Sequence, residues 1–153
     1  MNHLARRGRR LGADVFEVVR HSVPIDLVGM GSTELGGIGE VPNPALPQFL
    51  SHYRFFFNPI RYTSLGLAVI EAMMIGLPIV ALATTEMAQL VKTGSNGVAD
   101  TRPAVLIDAM RTLIRDQELA REWGAAAKRD ACERFGIERF ARDWDAALRD
   151  VTA

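Results

Sequence analysis

Residues 65–83, LGLAVIEAMMIGLPIVALA, constrain this chain more than any other stretch. The run is long enough to span a membrane and carries one charge, Glu71. Gly76 and Pro78 divide it, and Gly-x-Pro is a turn signal. The two halves read as a buried helix over 67–75, closed by Gly76 as a C-cap, and a buried strand over 78–83. That reading accounts for Glu71, Gly76 and Pro78 better than a bilayer crossing does.

The same alternation extends to both sides. Leu11, Val15, Val18 and Val19 recur at helical spacing and predict a helix over 9–20. IDLVGM at 25–30 reads as a short strand, and 31–44 as a Gly- and Pro-rich loop around a possible strand near Ile38. Pro44–Tyr53 predicts a short helix with Asn43 as N-cap. RFFFN at 54–58 predicts a strand ended by Asn58-Pro59. A helix starting at Thr84 or Thr85 runs to about Val91, and TGSNG at 93–97 is a turn. Amphipathic helices over 103–116, 117–131 and 137–150 finish the chain. Strands alternating with helices predict an α/β fold: a Rossmann-like parallel sheet with helices on both faces, then a helical C-terminal tail. The expected organisation is one domain over 1–153, with an α/β core over 1–100 and C-terminal helices over 101–153. A doubly wound sheet begins with a strand, yet residues 1–8 are polar and Arg-rich. Either Met1–Leu4 is a strand stub or the chain starts mid-fold.

Composition removes several function classes. The chain has 18 basic and 18 acidic residues, so its formal net charge is zero. That argues against a nucleic-acid wrapper or a polybasic membrane binder. One cysteine, Cys132, rules out an internal disulfide framework and a cysteine metal cage, and it fits a cytoplasmic setting. His3, His21 and His52 lack metal-ligand spacing. Only Lys92 and Lys128 are lysines, so the other basic residues are arginines, a bias that coding composition or phosphate binding would each explain. Residues 1–20 hold Arg6, Arg7, Arg9, Arg10 and Arg20 against Asp14 and Glu17, a local excess of +3.

In an open parallel sheet, ligands bind beyond the carboxyl ends of the strands, at helix N-termini. That singles out loops 29–43, 58–67 and 83–86. The first holds Gly29-x-Gly31, but Glu34 stands where a dinucleotide fingerprint needs its third glycine. It is a flexible connection or a loop that a ligand approaches at Gly31. In the second, NPIRYTSLG, the free N–H groups at 66–68 suit an anion, with Thr63 and Ser64 offering hydroxyls and Arg61 a charge. A plain capping role for Ser64 or Thr63 is the alternative. Glu71, one turn into an apolar helix, needs a partner or a wet cleft. It either accepts neighbouring backbone N–H groups or accepts hydrogen bonds from ligand hydroxyls. No nucleophilic triad and no pair of catalytic carboxylates stands out.

The run RYTSLGLAVIEAMMIGLPIVALATTE at 61–86 resembles the donor-binding core of retaining glycosyltransferases of family 4, also called group 1. VGMG at 28–31, the stretch GEVPNPALPQFLSHYRFFFNP, the loop-strand GSNGVADT and the tail FGIERFARDW extend the likeness over nearly the whole chain. The resemblance implies one half of a GT-B fold, the half that binds a nucleoside-diphosphate sugar, with the acceptor-binding N-terminal domain absent. It implies Glu71 on the nucleotide's ribose, and Ser64, Gly66 and Leu67 on the diphosphate and sugar. Thr63 replaces the family's first glutamate, and Ala83-Thr84-Thr85 replaces its usual glycine pair. The basic pair on the diphosphate has no clean match; Arg9 and Arg10 are the candidates. The resemblance implies no cofactor and no metal, only the nucleotide-sugar as substrate. A sugar-nucleotide epimerase-like relative and a degenerate, non-catalytic module remain as alternatives.

Overall fold

The structure, a computed structural model, describes residues 4–152. Its centre is a sheet of three parallel strands in the order β1 (Phe56–Asn58), β2 (Ile79–Leu82), β3 (Gly97–Asp100). β1 pairs with β2 from Phe56 opposite Ile79 to Asn58 opposite Ala81, and β2 with β3 from Ile79 opposite Gly97 to Leu82 opposite Asp100.

All four residues of β2 are buried, and alternation sends them to two separate cores. Ile79 and Ala81 join Val69, Ala72 and Met73 of α4 (Leu67–Ile75) and Ala127 and Ala131 of α7 (Gln117–Phe135). Val80 and Leu82 join Val15 and Val19 of α2 (Ala13–Arg20) and Leu106, Met110 and Leu113 of α6 (Pro103–Arg115). Helices thus cover both faces of a parallel sheet, which is why the strands read as apolar runs. α6 and α7 belong to this sandwich and are not an appended tail. Only α8 (Ile137–Thr152) lies outside it, with Ile137, Phe140, Trp144 and Val151 each more than half exposed.

The Gly-x-Pro turn behaves as its sequence predicts. Gly76 closes α4 with φ 97°, and the N–H of Leu77 returns to the Ala72 carbonyl at 3.0 Å. The turn also sets how closely α7 approaches. A Cβ on Gly124 would collide with the Gly76 carbonyl oxygen, so α7 crosses there only because position 124 lacks a side chain. Farther along, buried Asn96 donates to Asp130 of α7 at 2.7 Å and to the Leu90 carbonyl at 3.2 Å, and accepts from the Lys92 N–H at 2.7 Å.

Several expectations are corrected. Residues 25–30 form no strand of the sheet; their one ladder contact is a parallel bridge between Val28 and Gly39. That bridge confirms extended backbone near Ile38. The third strand is instead β3, where the likeness of GSNGVADT implies a loop and a strand. The helix expected over 9–20 is two pieces, a 3-10 turn at Gly8–Leu11 and α2, separated by Gly12 at φ 77°. Asn43 does not cap: a 3-10 turn at Asn43–Ala45 leads into α3 (Leu46–Leu50) without a side-chain cap bond. Thr85 takes φ 48°, outside the helical region, so α5 is only Met87–Leu90. The suggested strand stub fails at Leu4, which opens α1 (Leu4–Arg7), while Met1–His3 lie outside the described residues. No helix among the described residues is long and apolar enough to cross a membrane.

Candidate functional site

The loop 58–66 leaves the carboxyl end of β1 and enters α4, and three tethers fix its course. Gly12 lies against Pro59 so closely that a Cβ there would clash with the Pro59 carbonyl oxygen. Arg61 donates to both carboxylate oxygens of Asp14, at 2.6 and 3.0 Å, and to the Arg9 carbonyl at 3.0 Å. Thr84, in the loop after β2, donates through its hydroxyl to the Ile60 carbonyl at 3.0 Å. The Arg9–Gly12 turn, the 58–66 loop and the loop after β2 therefore converge at one end of the sheet. Hydrogen bonding from Arg61 holds the Asp14 carboxyl below the usual carboxylate range.

The start of α4 is open. Gly66 is the N-cap in extended conformation (φ −82°, ψ 139°), and no side chain caps the helix, so neither Thr63 nor Ser64 fills that role. A Cβ on Gly66 would meet nothing within 4 Å. The N–H of Val69 donates to the Gly66 carbonyl at 3.0 Å, whereas those of Gly66, Leu67 and Ala68 have no acceptor among the described residues. Aligned peptide dipoles make this end partially positive. Ser64 is exposed and Thr63 half-buried beside it. Leu67 is 75% exposed, and Glu71, four residues on, shares its helix face. Glu71 is half-buried and forms no hydrogen bond or ion pair with a described residue. The reading in which it accepts neighbouring backbone N–H groups therefore finds no such donor among the described residues.

Two other predicted positions sit differently. Arg9 and Arg10 are exposed; Arg9 lies 3.5 Å from Asp14, and Arg10 makes no ion pair among the described residues. Gly31 starts a 3-10 turn, Ser32–Leu35, with φ 72°. The described hydrogen bonds hold that turn to Gly39 and Arg20, not to the 58–66 loop.

Sequence reasoning passed over Asn58 as a strand terminator. It is 3% exposed and its side-chain amide has no partner among the described residues. By strand alternation it shares the sheet face of Phe56, the one that α4 covers. An unsatisfied buried amide costs stability and calls for an explanation. The signal was available: a polar residue ending an aromatic strand at its carboxyl end. No group of three His, Cys, Asp or Glu side chains among the described residues is placed to hold a metal ion.

A parallel sheet of alternating strands and helices, covered on both faces, defines a Rossmann-like α/β domain. The model for glycosyl transferases group 1 matches residues 32–130, and the chain belongs to that family. Alpha-maltose-1-phosphate synthase of Mycolicibacterium smegmatis is 26% identical over 121 residues, covering 74% of this chain and 31% of that protein. An uncharacterized 41.2 kDa protein from the cps region of Klebsiella pneumoniae is 26% identical over 105 residues, 68% of this chain and 28% of its own length. Among solved structures, sucrose-phosphate synthase from Thermosynechococcus elongatus superposes with TM-score 0.81 at 20% identity, over 95% of this chain and 43% of that one. The Anabaena protein HepE, solved in complex with UDP, superposes with TM-score 0.77 at 20% identity, over 98% and 47%. These neighbours are GT-B glycosyltransferases, and the fold is that of the C-terminal GT-B domain. The chain spans about a third of these curated relatives and less than half of these solved structures.

Proposed function

We propose that this chain is the donor-binding half of a retaining glycosyltransferase and holds a nucleoside-diphosphate sugar at the N-terminus of α4. The observation that carries the reading is the pairing of that uncapped terminus with Glu71 on the same helix face. The free N–H groups of Gly66, Leu67 and Ala68 suit a diphosphate. Glu71, without a protein partner among the described residues, suits the ribose hydroxyls one turn away. Ser64 and Thr63 add hydroxyl donors to the phosphate and sugar, and Asn58 supplies an amide from beneath. Arg61 braces the loop through Asp14 and does not reach for the ligand. Arg9 and Arg10, on the turn tethered to that loop, supply positive charge to the departing diphosphate without a metal.

HepE was solved with UDP, and that supports a uridine nucleotide as the first candidate. The acceptor would come from a companion N-terminal domain. The exposed apolar stripe of α8 is a surface that such a domain would bury, and the share of the relatives' length left uncovered supports one. A cytoplasmic setting, where nucleotide-sugars are made, completes the proposal. NMR titration with UDP, GDP and ADP tests it: one nucleotide should shift the Leu67 and Ala68 amides at micromolar to millimolar concentration. A folded protein whose spectrum ignores all three would remove the reading.

A further inference from the structure

The loop after β2 carries a backbone angle that its sequence does not favour. Thr85 takes φ 48°, and it is the one residue other than glycine with a positive φ among the described residues. The nine other positive φ values there all fall on glycine. Left-handed backbone is costly for any L side chain, and a residue branched at Cβ is a true outlier there. Glycine would take the same angle without that cost. A threonine at this position therefore sacrifices stability to keep a side chain where the fold needs none.

The surroundings hold the angle in place. Leu82 and Met87, on either side, are buried. The N–H of Ala83 donates to the Asp100 carbonyl at 3.2 Å, and that of Met87 to the Thr84 carbonyl at 3.1 Å. The Thr84 hydroxyl bonds Ile60 of the donor loop. Between these anchors Thr85 and Glu86 are exposed, and neither side chain hydrogen-bonds or ion-pairs with a described residue. Strain that a rigid frame maintains, on side chains the frame does not use, points to function.

The chemistry of the neighbouring loops says which function. The Arg9–Gly12 turn brings two guanidinium groups, and the 58–66 loop brings Thr63, Ser64 and an Arg61 already engaged by Asp14. Glu86 is the one carboxylate on these two loops and the 83–86 loop together. A carboxylate repels phosphate and accepts hydrogen bonds from hydroxyl groups, while a threonine hydroxyl both donates and accepts. The pair is mismatched to a diphosphate and matched to a ring with several free hydroxyls.

We propose that Thr85 and Glu86 form a glycosyl subsite. The Glu86 carboxylate accepts hydrogen bonds from hydroxyls of the hexose carried on the diphosphate, and the Thr85 hydroxyl bonds the same ring. The proposal rests on the donor reading above and adds the residues that tell a nucleotide-sugar from a free nucleotide. Glu71 serves the ribose, so the two carboxylates divide the two sugars of the donor between them.

Calorimetric titration of the full chain with UDP, GDP and ADP, and with UDP-glucose, UDP-N-acetylglucosamine, GDP-mannose and ADP-glucose, tests it. For the tightest nucleotide-sugar, Glu86→Gln should weaken binding about tenfold and Thr85→Gly about fivefold, as charged and neutral hydrogen bonds differ. Both variants should bind the matching free diphosphate as the wild type does. Thr85→Ser keeps the hydroxyl and should bind the nucleotide-sugar like the wild type. Thr85→Gly should also melt about 3 °C higher, because it relieves the left-handed strain. Nucleotide-sugar binding that is unchanged in Glu86→Gln and Thr85→Gly would overturn the proposal. Equal losses for the free diphosphate and its sugar conjugate would do the same, and so would a Thr85→Gly variant that melts lower, which would make Thr85 structural. A folded wild type that binds none of these ligands would remove the donor reading itself, and this subsite with it.

Discussion

Arg61 and Asp14 meet through two nitrogen–oxygen contacts, at 2.6 and 3.0 Å, across 47 positions of sequence. The pair ties the proposed donor loop to the first turn of α2. Bidentate geometry makes it stronger than an ordinary surface pair, but Asp14 is 38% exposed and solvent screens it. A double-mutant cycle on Arg61→Ala and Asp14→Ala should return a coupling of about 1 kcal/mol. The pH dependence has a fixed sign. The folded carboxyl is held below its unfolded value, near 4, so its contribution is complete above that pH and lost as pH falls through the lower folded value. Urea unfolding of the wild type and Asp14→Asn at pH 7 and pH 3 checks this: the gap between them should narrow at pH 3. A constant gap would show that the carboxylate charge does not matter.

Two glycines separate packing from ligand space. Gly124→Ala would drive a methyl group into the Gly76 carbonyl, and backbone cannot yield as a side chain does. It should cost about 3 kcal/mol, at the upper end of overpacking penalties. Gly66→Ala places its methyl in open space with an ordinary φ of −82°, so it should cost about 1 kcal/mol at most. If that space holds the diphosphate, Gly66→Ala should still weaken nucleotide binding at least tenfold. Thermal melts beside nucleotide titrations check both. Equal losses of stability would refute the assignment.

Asn58 should trade stability for binding. Replacing an unsatisfied buried amide with an apolar group of similar shape removes a desolvation cost. Asn58→Leu should stabilise the protein by about 1 kcal/mol, a rise of about 3 °C in Tm. Its nucleotide affinity should drop about tenfold. A destabilised Asn58→Leu would mean that the amide is satisfied in solution.

Much of this fold is legible along the chain. The helix, the Gly-x-Pro turn and the buried strand over 67–83 stand where their apolar pattern and punctuation put them, because each is decided locally. The 25–30 segment has the composition of a strand but no place in the sheet. Strand formation needs a neighbour, and a cleft of about 250 Å³ lined by both segments separates it from the free edge of β1. β3 has the opposite history: GVAD is a weak strand signal, but its position beside β2 decides it. In the proposed site, the placing of Gly66, Leu67 and Glu71 at the start and on one face of α4 is readable because helix phase is a sequence property. Arg61 reads as a ligand-facing charge until tertiary structure brings Asp14 to it. Asn58 carries a faint signal, a polar residue ending an aromatic strand, but only burial shows that its amide lacks a partner among the described residues.

The central claim is that Glu71 faces a bound nucleotide. Calorimetric titration of wild type and Glu71→Gln with the nucleotide that binds best tests it most directly. Charge-assisted hydrogen bonds to ribose hydroxyls are worth about 1.5–3 kcal/mol. The variant should therefore bind about 10- to 100-fold more weakly, with its melting temperature unchanged because Glu71 supports no described residue. Equal affinity in the two proteins, or a Glu71→Gln variant that loses stability and affinity together, would contradict the account.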